Sequence, residues 1–424
     1  MPMLRVIYNT LWYPALPFAL AAAGSRDKQD RRERMGAPLI APNGSGPRIW
    51  IHASSVGEIE AIRPVASGLH RELEGARIFI TTMTATGRDA ARRRIPTAAA
   101  CALAPLDCPA TVRRFLRGVR PNLVLIGETE LWPNYFIEAR RAGAHVAIIN
   151  GRISERSLRR YRRAKSLFGR ALESAHLILA QSEEDAHRYV SLGARPEAVT
   201  VTGNTKFDLL FAGEEAPLRE ALVRFARQRP LLVAGSTAPG EEAIVLAAWQ
   251  SLRERFPTLA LAIAPRHPTR TPEVEAALGA TGVEYLRASA LEAGAQPIED
   301  ASVLLLDTIG ELRAIYRRAS VAFVGGSMLA GRGGQNVGEP AAAGVPVAFG
   351  PFHENQRAMA KALVDSGGGA VVRDAPELAA CCARWLEDES ARAAAGARAK
   401  SAAEKAAGAA RATVEHLRRL AADA

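Results

Sequence analysis

Three charged side chains in the first half of the chain follow apolar runs of the kind that form β-strands. Glu58 follows the run at 48–53, Glu128 ends the run at 122–128, and Lys206 follows the run at 199–203. In open parallel sheets, ligands bind at the carboxyl ends of the strands. A lysine ammonium is a compact charge that can approach a developing negative charge. Together the three residues predict a ligand-binding cleft at these strand ends.

Each of these residues also has a purely structural explanation. Glu58 lies in a predicted first helical turn, where the helix dipole favours a carboxylate. Glu128 is also suited to a helix cap or an ion pair, and Lys206 is suited to a surface salt bridge with Asp208. The sequence alone leaves both explanations open for each residue.

The second half of the chain places glycines and hydrogen-bonding side chains after its apolar runs. The segments are AGSTAPGEE, APRHPTR, DTIGEL and GGSMLAGRGGQNVGEP. Glycines let a backbone approach a ligand closely, and backbone N–H groups at a helix start bind anions. Asn336 can hydrogen-bond a phosphate or a base, and Glu339 can accept from a ribose diol. These features predict a nucleotide-binding shelf.

Short apolar runs alternate with amphipathic segments along most of the chain, which is the pattern of βαβ units and parallel sheets. The predicted strands of the first half lie at 48–53, 77–83, 122–128, 145–150, 177–182 and 199–203. The alternation pauses in a charged stretch at 209–229 and restarts with predicted strands at 230–236, 259–265, 303–308, 321–326, 345–350 and 369–374. We therefore expect an α/β protein with two doubly wound, Rossmann-like domains facing across a cleft. Ligands bind at the carboxyl ends of the strands in such sheets. The predicted divisions are an N-terminal segment at 1–30, domains at 31–212 and 213–388, and a helical tail at 389–424.

The composition limits the class of protein. The 424 residues are 48% hydrophobic and 23% charged, as in globular proteins, and they carry a net charge of +11. That charge favours acidic partners such as a phosphorylated substrate or an anionic membrane. The sequence has no nucleic-acid-binding motif, so we expect no nucleic-acid partner. The four cysteines lack the paired spacing of a zinc site and indicate a reduced, cytosolic body.

Residues 6–24 form an apolar stretch that a basic segment follows at once. About 20 apolar residues can span a bilayer, and flanking basic residues favour the cytoplasmic side. We therefore predict a membrane-anchoring helix within residues 1–30. Pro14 and Pro17 would kink that helix. The alternatives are a cleavable signal peptide and a buried or interfacial helix.

A second basic feature lies at 151–165. Its arginines Arg156, Arg159, Arg160 and Arg163 recur with the spacing of one helical face. A solvated helix surface is one explanation. Contact with headgroup phosphates or with a phosphorylated acceptor is the other.

Taken together, the motifs resemble those of the 3-deoxy-D-manno-octulosonic acid (Kdo) transferases of lipopolysaccharide synthesis. The segments in the order and spacing of that family are SSVGE, TTMTATG, GETELWPN, GNTKFD, GST with GEE, PRHP, DTIGEL, and FVGGS with RGG and EP. The resemblance covers nearly the whole chain. It implies an inverting glycosyltransferase of the glycosyltransferase B fold at the cytoplasmic face of the inner membrane. The implied partners are CMP-Kdo, a lipid A precursor (lipid IVA) whose hydroxyl receives the Kdo, and anionic headgroups of that membrane.

The resemblance also implies roles for individual residues. Glu58 matches the catalytic base, and Glu128 and Lys206 match residues that support the transition state. We expect no divalent metal and no other cofactor, because the sequence contains no Asp-x-Asp motif. Helix N-termini, Arg266 and Lys206 would then stabilise the charge on departing CMP. The predicted donor-binding residues are Ser236, Thr237, Pro265, Arg266, His267, Ile309, Gly310, Glu311, Asn336, Val337, Gly338 and Glu339.

The chain departs from the family pattern in its glycine-rich loop. It has GGQNVGEP where the family usually has GGHNPLEP, and Ala238 where a histidine usually follows Ser-Thr. Gln335 donates and accepts hydrogen bonds but cannot carry a charge. Two alternatives to Kdo transfer stay open. One is another glycosyltransferase of the same fold that uses a UDP-sugar on a lipid acceptor, and the other is a non-catalytic protein that binds nucleotide-sugars or membrane surfaces.

Overall fold

The computed structural model describes residues 3–22, 27–37, 39, 44–211, 218–227, 229–291 and 302–422. The chain divides into two compact units. The first contains Met1–Leu209 together with Ala407–Ala424, and the second contains Leu210–Ala406. The predicted boundary between residues 212 and 213 lies outside the described residues. The predicted boundary after residue 30 falls inside the helix Lys28–Arg34.

The first unit is built on a parallel sheet whose described strands have the order β3-β2-β1-β4-β5-β6-β7. The strands are β1 (Arg48–His52), β2 (Arg77–Thr82), β3 (Ala98–Leu103), β4 (Leu123–Gly127), β5 (His145–Gly151), β6 (Leu177–Ala180) and β7 (Val199–Val201). The helices are α1 (Met3–Ala22), α2 (Lys28–Arg34), α3 (Val56–Glu72), α4 (Ala85–Arg94), α5 (Pro109–Val119), α6 (Pro133–Arg141), α7 (Glu155–Arg162), α8 (Lys165–Glu173) and α9 (Glu183–Leu192). The strand order reverses between β1 and β4, which is where doubly wound sheets bind ligands.

The second unit contains another parallel sheet, in which the described strands have the order β10-β11-β9-β8-β12-β13-β14. The strands are β8 (Leu231–Thr237), β9 (Ala260–Pro265), β10 (Tyr285–Arg287), β11 (Val303–Leu305), β12 (Val321–Val324), β13 (Val347–Phe349) and β14 (Gly369–Val371). The helices are α10 (Glu220–Phe225), α11 (Glu241–Arg255), α12 (Thr271–Thr281), α13 (Leu312–Tyr316), α14 (Gly338–Ala342), α15 (Arg357–Ser366), α16 (Ala375–Glu387) and α17 (Glu389–Ala406). This order reverses between β8 and β12, so the corresponding ligand position follows those two strands.

Both sheets are covered by helices on each face, and their strands are buried accordingly. Alternate residues of a strand point to opposite faces. Trp50 therefore belongs to one apolar cluster of the first unit, and its neighbours Ile49 and Ile51 belong to the other. Leu232 and Val233 divide in the same way between the two clusters of the second unit. The α/β fold class expected from the sequence, with two doubly wound sheets, is confirmed.

The C-terminal segment is shared between the two units. The sequence predicted one helical tail over 389–424, whereas the structure has α17 in the second unit and α18 (Ala409–Ala422) in the first. The carboxylate of Asp208 accepts from the backbone N–H groups of Gly408 at 3.0 Å and Ala410 at 3.1 Å. Asp208 thereby satisfies the free N–H groups at the start of α18.

Helix α1 is attached to the first unit through polar side chains near its beginning. A guanidinium nitrogen of Arg5 donates to Glu138 at 3.0 Å, and the Tyr8 hydroxyl donates to Asp107 at 2.7 Å. Its apolar side chains are largely exposed, with Met3 72% and Phe18 78% accessible. Among the described residues, no helix combines the length and the apolarity that crossing a bilayer requires. Whether α1 anchors the chain to a membrane stays a prediction.

Helix α18 brings the end of the chain back to the first unit, where it packs on α3. Substitutions at this contact test that packing. A methyl group added at Gly68 of α3 would lie 2.7 Å from Cγ2 of Val414 on α18. Alanine is normally the better helix residue, but here we expect Gly68→Ala to lower the free energy of unfolding by about 1–3 kcal/mol through overpacking. Val414→Ala removes the obstructing atoms, so the two substitutions should couple favourably in a double-mutant cycle. Chemical denaturation measures all four proteins, and a Gly68→Ala variant more stable than the parent would contradict this packing.

Candidate active site

Glu58 is positioned by the loop that joins β1 to α3. The hydroxyl of Ser55 accepts from the Glu58 N–H at 3.4 Å, and Oε2 of Glu58 accepts from the Ser54 N–H at 2.7 Å. This reciprocal arrangement is close to a helix capping box, so the structural explanation of Glu58 holds. Burial, and then the charge of Glu130, raise the pKa of Glu58 to about 8. A carboxyl with that pKa can exchange a proton near neutral pH.

Glu130 follows β4 and supplies the charge that faces Glu58. The indole N–H of Trp132 donates to Oε2 of Glu130 at 2.6 Å, and Nε2 of His52 lies 3.7 Å from the same oxygen. Burial alone would raise the pKa of Glu130, but His52 and Trp132 more than offset it and hold that pKa below its usual value. Glu130 therefore stays ionised while the Glu58 carboxyl titrates.

His52, the residue that faces Glu130, is held by a hydrogen bond to Thr81 of β2. The ring is fully buried, and its Nδ1 lies 3.0 Å from the Thr81 hydroxyl oxygen. The Trp50 indole N–H donates to the same oxygen at 2.8 Å. These contacts fix the orientation of the imidazole and turn its Nε2 toward Glu130.

Glu128 and Lys206 form an ion pair at the end of β4. Nζ of Lys206 lies 2.7 Å from Oε1 of Glu128, and the amide of Asn150 donates to the same oxygen at 3.4 Å. Glu128 and Asn150 both have positive φ, at 48° and 52°, which costs energy for residues other than glycine. Of the two explanations for Lys206, the salt bridge with Asp208 is wrong, because Asp208 caps α18 while Lys206 pairs with Glu128.

The loop after β7 brings Lys206 to this position. The Thr205 N–H donates to Oδ1 of Asn150 at 3.0 Å, and its hydroxyl donates to the Ala61 carbonyl of α3 at 2.6 Å. Both Glu128 and Lys206 contribute to the electrostatic environment of Glu58. Glu58, Glu128 and Lys206, the three predicted catalytic residues, therefore lie close together in the first unit.

In the second unit, Glu241 holds the glycine-rich loop that follows β12. This carboxylate is fully buried at the start of α11. Oε2 accepts from the N–H groups of Ala238 and Gly326 at 2.8 and 2.6 Å, and Oε1 accepts from Ser327 and Met328 at 2.9 and 2.8 Å. The sequence predicts that backbone N–H groups after β8 bind a ligand anion. The Ala238 N–H group instead binds a carboxylate of the protein itself.

The neighbouring Glu242 holds the segment after β9. It accepts two hydrogen bonds from Arg270, at 2.8 and 3.2 Å, and one from the Thr237 hydroxyl at 2.7 Å. Thr237 is fully buried, so its hydroxyl is engaged within the protein, whereas Ser236 is half-exposed at a φ of 55°. Beyond the buried Pro265, the side chains of Arg266 and His267 are exposed and available to a ligand.

The residues selected at 336–339 form a small hydrogen-bonded group at the start of α14. The Asn336 amide donates to Glu339 at 3.2 Å, and its oxygen accepts from the Gly338 N–H at 3.1 Å. Burial raises the pKa of Glu339, against the charges of Arg313 and Arg266. Val337 is fully buried and anchors the segment.

The residues selected at 309–311 have separate surroundings. Arg219 donates to both carboxylate oxygens of Glu311, at 2.6 and 3.0 Å, which holds the pKa of Glu311 below its usual value despite burial. Ile309 is 87% exposed, and Gly310 has a φ of 97° that favours glycine. Glu311 therefore braces this loop through Arg219, while the Ile309–Gly310 backbone is open.

Three residues that surround the candidate groups are not among the predicted site residues. In the first unit, Glu130 faces Glu58 and His52 faces Glu130. In the second unit, the charge of Arg313 acts on Glu339. A histidine inside an otherwise apolar strand run is the signal that could have identified His52. Among the described residues, no group of three His, Cys, Asp or Glu side chains is arranged to hold a metal ion.

The role of Glu241 leads to a testable prediction. Glutamine at 241 has one acceptor oxygen and presents an amide N–H₂ to the remaining backbone N–H groups. We expect Glu241→Gln to cost at least about 2 kcal/mol of unfolding free energy and to speed hydrogen exchange at the amides of Gly326, Ser327 and Met328. Glu254→Gln, on the exposed side of the same helix α11, is the matched control. Equal stability and exchange in the two variants would refute the proposed clamp.

The sequence of the chain is similar to a family model and to several curated relatives. The family model described as "3-Deoxy-D-manno-octulosonic-acid transferase (kdotransferase)" matches residues 29–209. The 3-deoxy-D-manno-octulosonic acid transferase of Haemophilus influenzae is 33% identical over 377 residues, which are 86% of this chain and 86% of the relative. The transferase of the same name from Bordetella pertussis is 37% identical over 351 residues, or 81% of this chain and 78% of the relative.

A solved structure supports the fold independently. The UDP-GlcNAc 2-epimerase from Neisseria meningitidis, bound to UDP-GlcNAc, aligns with a TM-score of 0.59 over 88% of this chain and 100% of that one, at 14% identity. At that identity the likeness concerns the fold alone, and the expected glycosyltransferase B fold is confirmed. From the coverage and identity of its relatives, the chain belongs to the 3-deoxy-D-manno-octulosonic acid transferase family.

Proposed function

We propose that this protein transfers Kdo from CMP-Kdo to a hydroxyl of the lipid A precursor in lipopolysaccharide synthesis, with inversion at the anomeric carbon. The observation that carries the proposal is that this chain, a member of the family, holds Glu58 among charged groups at the start of α3, after β1. Its carboxyl has a pKa raised to about 8, and it shares its surroundings with Glu130, Glu128 and Lys206.

Glu58 acts as the general base in this proposal. The acceptor oxygen forms a bond to the anomeric carbon of Kdo while the bond from that carbon to the CMP phosphate oxygen breaks. The acceptor proton passes to Glu58, and CMP leaves with the bonding electrons. Only ionised Glu58 can take the proton, and with a pKa of about 8 about one carboxyl in ten is ionised at pH 7. Turnover is therefore expected to rise with pH up to that pKa.

Lys206 supplies positive charge to the reacting groups. Its side chain is 39% exposed although it pairs with Glu128, which is 15% exposed. The ion pair fixes the ammonium in place before the substrate arrives, so the charge needs little rearrangement during the reaction. Glu128 is in this view a positioning residue for Lys206.

The second unit binds the nucleotide of the donor in this proposal. Exposed Arg266 is suited to the phosphate, and the open backbone at Ile309 and Gly310 is suited to the cytosine ring. Asn336 and Glu339 offer an amide and a carboxylate to the ribose hydroxyls. The sequence contains no Asp-x-Asp motif, so we infer that arginine and backbone dipoles, without a divalent metal, stabilise the CMP phosphate.

The acceptor and the membrane are proposed to meet basic and apolar surfaces of the first unit. Arg156, Arg159, Arg160 and Arg163 are exposed on and just after α7, as expected for a face that contacts acceptor phosphates. The exposed apolar side chains of α1 suit an amphipathic helix lying in the interface of the inner membrane, on its cytoplasmic side.

A transfer assay tests the proposal. Purified protein is given CMP-Kdo and tetra-acylated lipid A precursor with a chelator present, and product is detected by CMP release and by the added mass of Kdo. We expect transfer by the parent protein and a rate lower by roughly 10²–10⁴ in Glu58→Gln, the scale of a lost general base. CMP binding should persist in the variant.

Glu60→Gln is the matched control, because Glu60 lies on the same helix and pairs only with Arg63 and Arg94 among the described residues. It should transfer at the parental rate. If transfer requires added Mg²⁺, only the proposal of a metal-independent reaction is wrong. If the protein transfers sugar from UDP-sugars in place of CMP-Kdo, the proposed donor is wrong. If Glu58→Gln keeps full activity, Glu58 is not the general base.

A further inference from the structure

A cavity of about 1000 Å³ opens at the edge of the first unit's sheet where β1 and β4 begin. Its basic lining residues are Arg48, Arg113, Arg117, Arg120 and Arg141, which we call the arginine pocket. The candidate catalytic carboxylates follow the other ends of these strands. A strand rises about 3.3 Å per residue, so the length of β1 or β4 places the pocket roughly 16 Å from them. The arginine pocket is therefore separate from the site described above.

The pocket holds more positive charge than its own carboxylate can balance. Glu138 is the acidic residue among its described lining residues. It already accepts from Arg113 at 2.8 Å, from Arg141 at 3.0 Å, and from Arg5 of α1 at 3.0 Å. Within the described part of the chain, the guanidinium groups of Arg117 and Arg120 have no hydrogen-bonding or ion-pair partner. These two groups are free to bind an anion.

Arg120 has a backbone conformation that is unfavourable for arginine, which indicates that its side chain is needed at this position. Arg120 ends α5 with a φ of 47°, a conformation for which glycine is the usual residue at a helix end. Its carbonyl accepts from Nε of Arg48 at 2.5 Å, which holds Arg48 at the rim. An arginine is thus kept at a position that strains its backbone.

Helix dipoles account for part of this charge but not for all of it. Both α5 and α6 end at the pocket, and basic residues are favoured near the negative ends of helices. A purely structural arginine would donate to the exposed carbonyls there, as Arg48 does. The side chains of Arg117 and Arg120 make no such bond among the described residues.

We propose that the arginine pocket binds a phosphate group of a ligand distinct from the sugar donor. Guanidinium groups match phosphate oxygens in geometry and charge, and the volume of the pocket exceeds that of one phosphate. Arg5 connects α1 to Glu138, and α1 exposes Met3, Val6 and Ile7. Apolar side chains beside a phosphate pocket suit a phospholipid headgroup better than a free phosphate. The inference does not depend on which sugar the enzyme transfers.

Two binding measurements on the full chain test the proposal. The first is sedimentation with phosphatidylcholine vesicles that contain or lack phosphatidic acid, and the second is calorimetry with inorganic pyrophosphate. The variant is Arg117→Gln/Arg120→Gln, which keeps a β-carbon at residue 120 and so leaves its backbone strain unchanged. Arg93→Gln/Arg114→Gln is the control, because both residues are exposed in the same unit, have no partner among the described residues, and remove equal charge.

We expect the pocket variant to bind phosphatidic acid vesicles about 30-fold more weakly than the parent, at ~1 kcal/mol per arginine. The control should lose less than about threefold, which reflects general charge alone. Loss of pyrophosphate binding with unchanged vesicle binding would support the phosphate site and assign it to a soluble ligand. Equal behaviour of variant and control in both measurements, or no binding by the parent, would overturn the proposal. If the double variant fails to fold, Arg117→Gln alone serves with Arg114→Gln as its control.

Discussion

The parallel direction of the strands determines where this protein can do chemistry. In both units every described strand is parallel to its neighbours. The loops that leave the carboxyl ends therefore emerge at one edge of each sheet, next to the point where the strand order reverses. Residues far apart in sequence, such as Glu58, Glu128 and Lys206, meet there because β1, β4 and β7 all end at that edge. The helices on each face bury the sheets and leave this edge to the polar loops.

Polar loops at such an edge need internal partners for their own backbone groups, and the two units use carboxylates for that purpose. Glu241 accepts the N–H groups of the loop after β12, and Glu58 accepts an N–H group of the loop after β1. The difference between them lies in what surrounds each carboxylate. Glu241 is enclosed by donors, whereas Glu58 faces the ionised Glu130. One carboxylate is thus a fixed structural group, and the other is able to exchange a proton.

The sequence predicted the alternating elements and most of the strands because apolar runs and their spacing are local properties. The predicted runs do not include β3 and β10, each of which lies at one outer edge of its sheet. β3 is the alanine-rich AAACAL, without the branched side chains that mark a strand. The YLR of β10 directly follows Glu284 and ends in Arg287, so no apolar run marks it.

Partners that are distant in sequence explain most of what was missed in the site. Nothing local to Glu241 indicates that it binds Gly326, 85 residues later, so the sequence predicted a ligand at the start of this helix instead. Likewise, the sequence favoured Asp208, two residues away, as a salt-bridge partner of Lys206. In the structure Lys206 pairs with Glu128, 78 residues earlier. The motifs identified which residues mattered. Their division into ligand-facing and loop-holding groups required the tertiary contacts.

The proposed chemistry depends on a fold that raises the pKa of Glu58, so that Glu58 can act as a base near neutral pH. The most direct measurement is a ¹³C NMR titration of the glutamate side-chain carboxyls, in which the Glu58 signal is assigned by its absence from Glu58→Gln. We expect a midpoint near 8, and a lower midpoint in Glu130→Gln, because the nearby negative charge disfavours ionisation of Glu58. A midpoint near 4.5, the ordinary value for a glutamate, that does not respond to Glu130→Gln would contradict it.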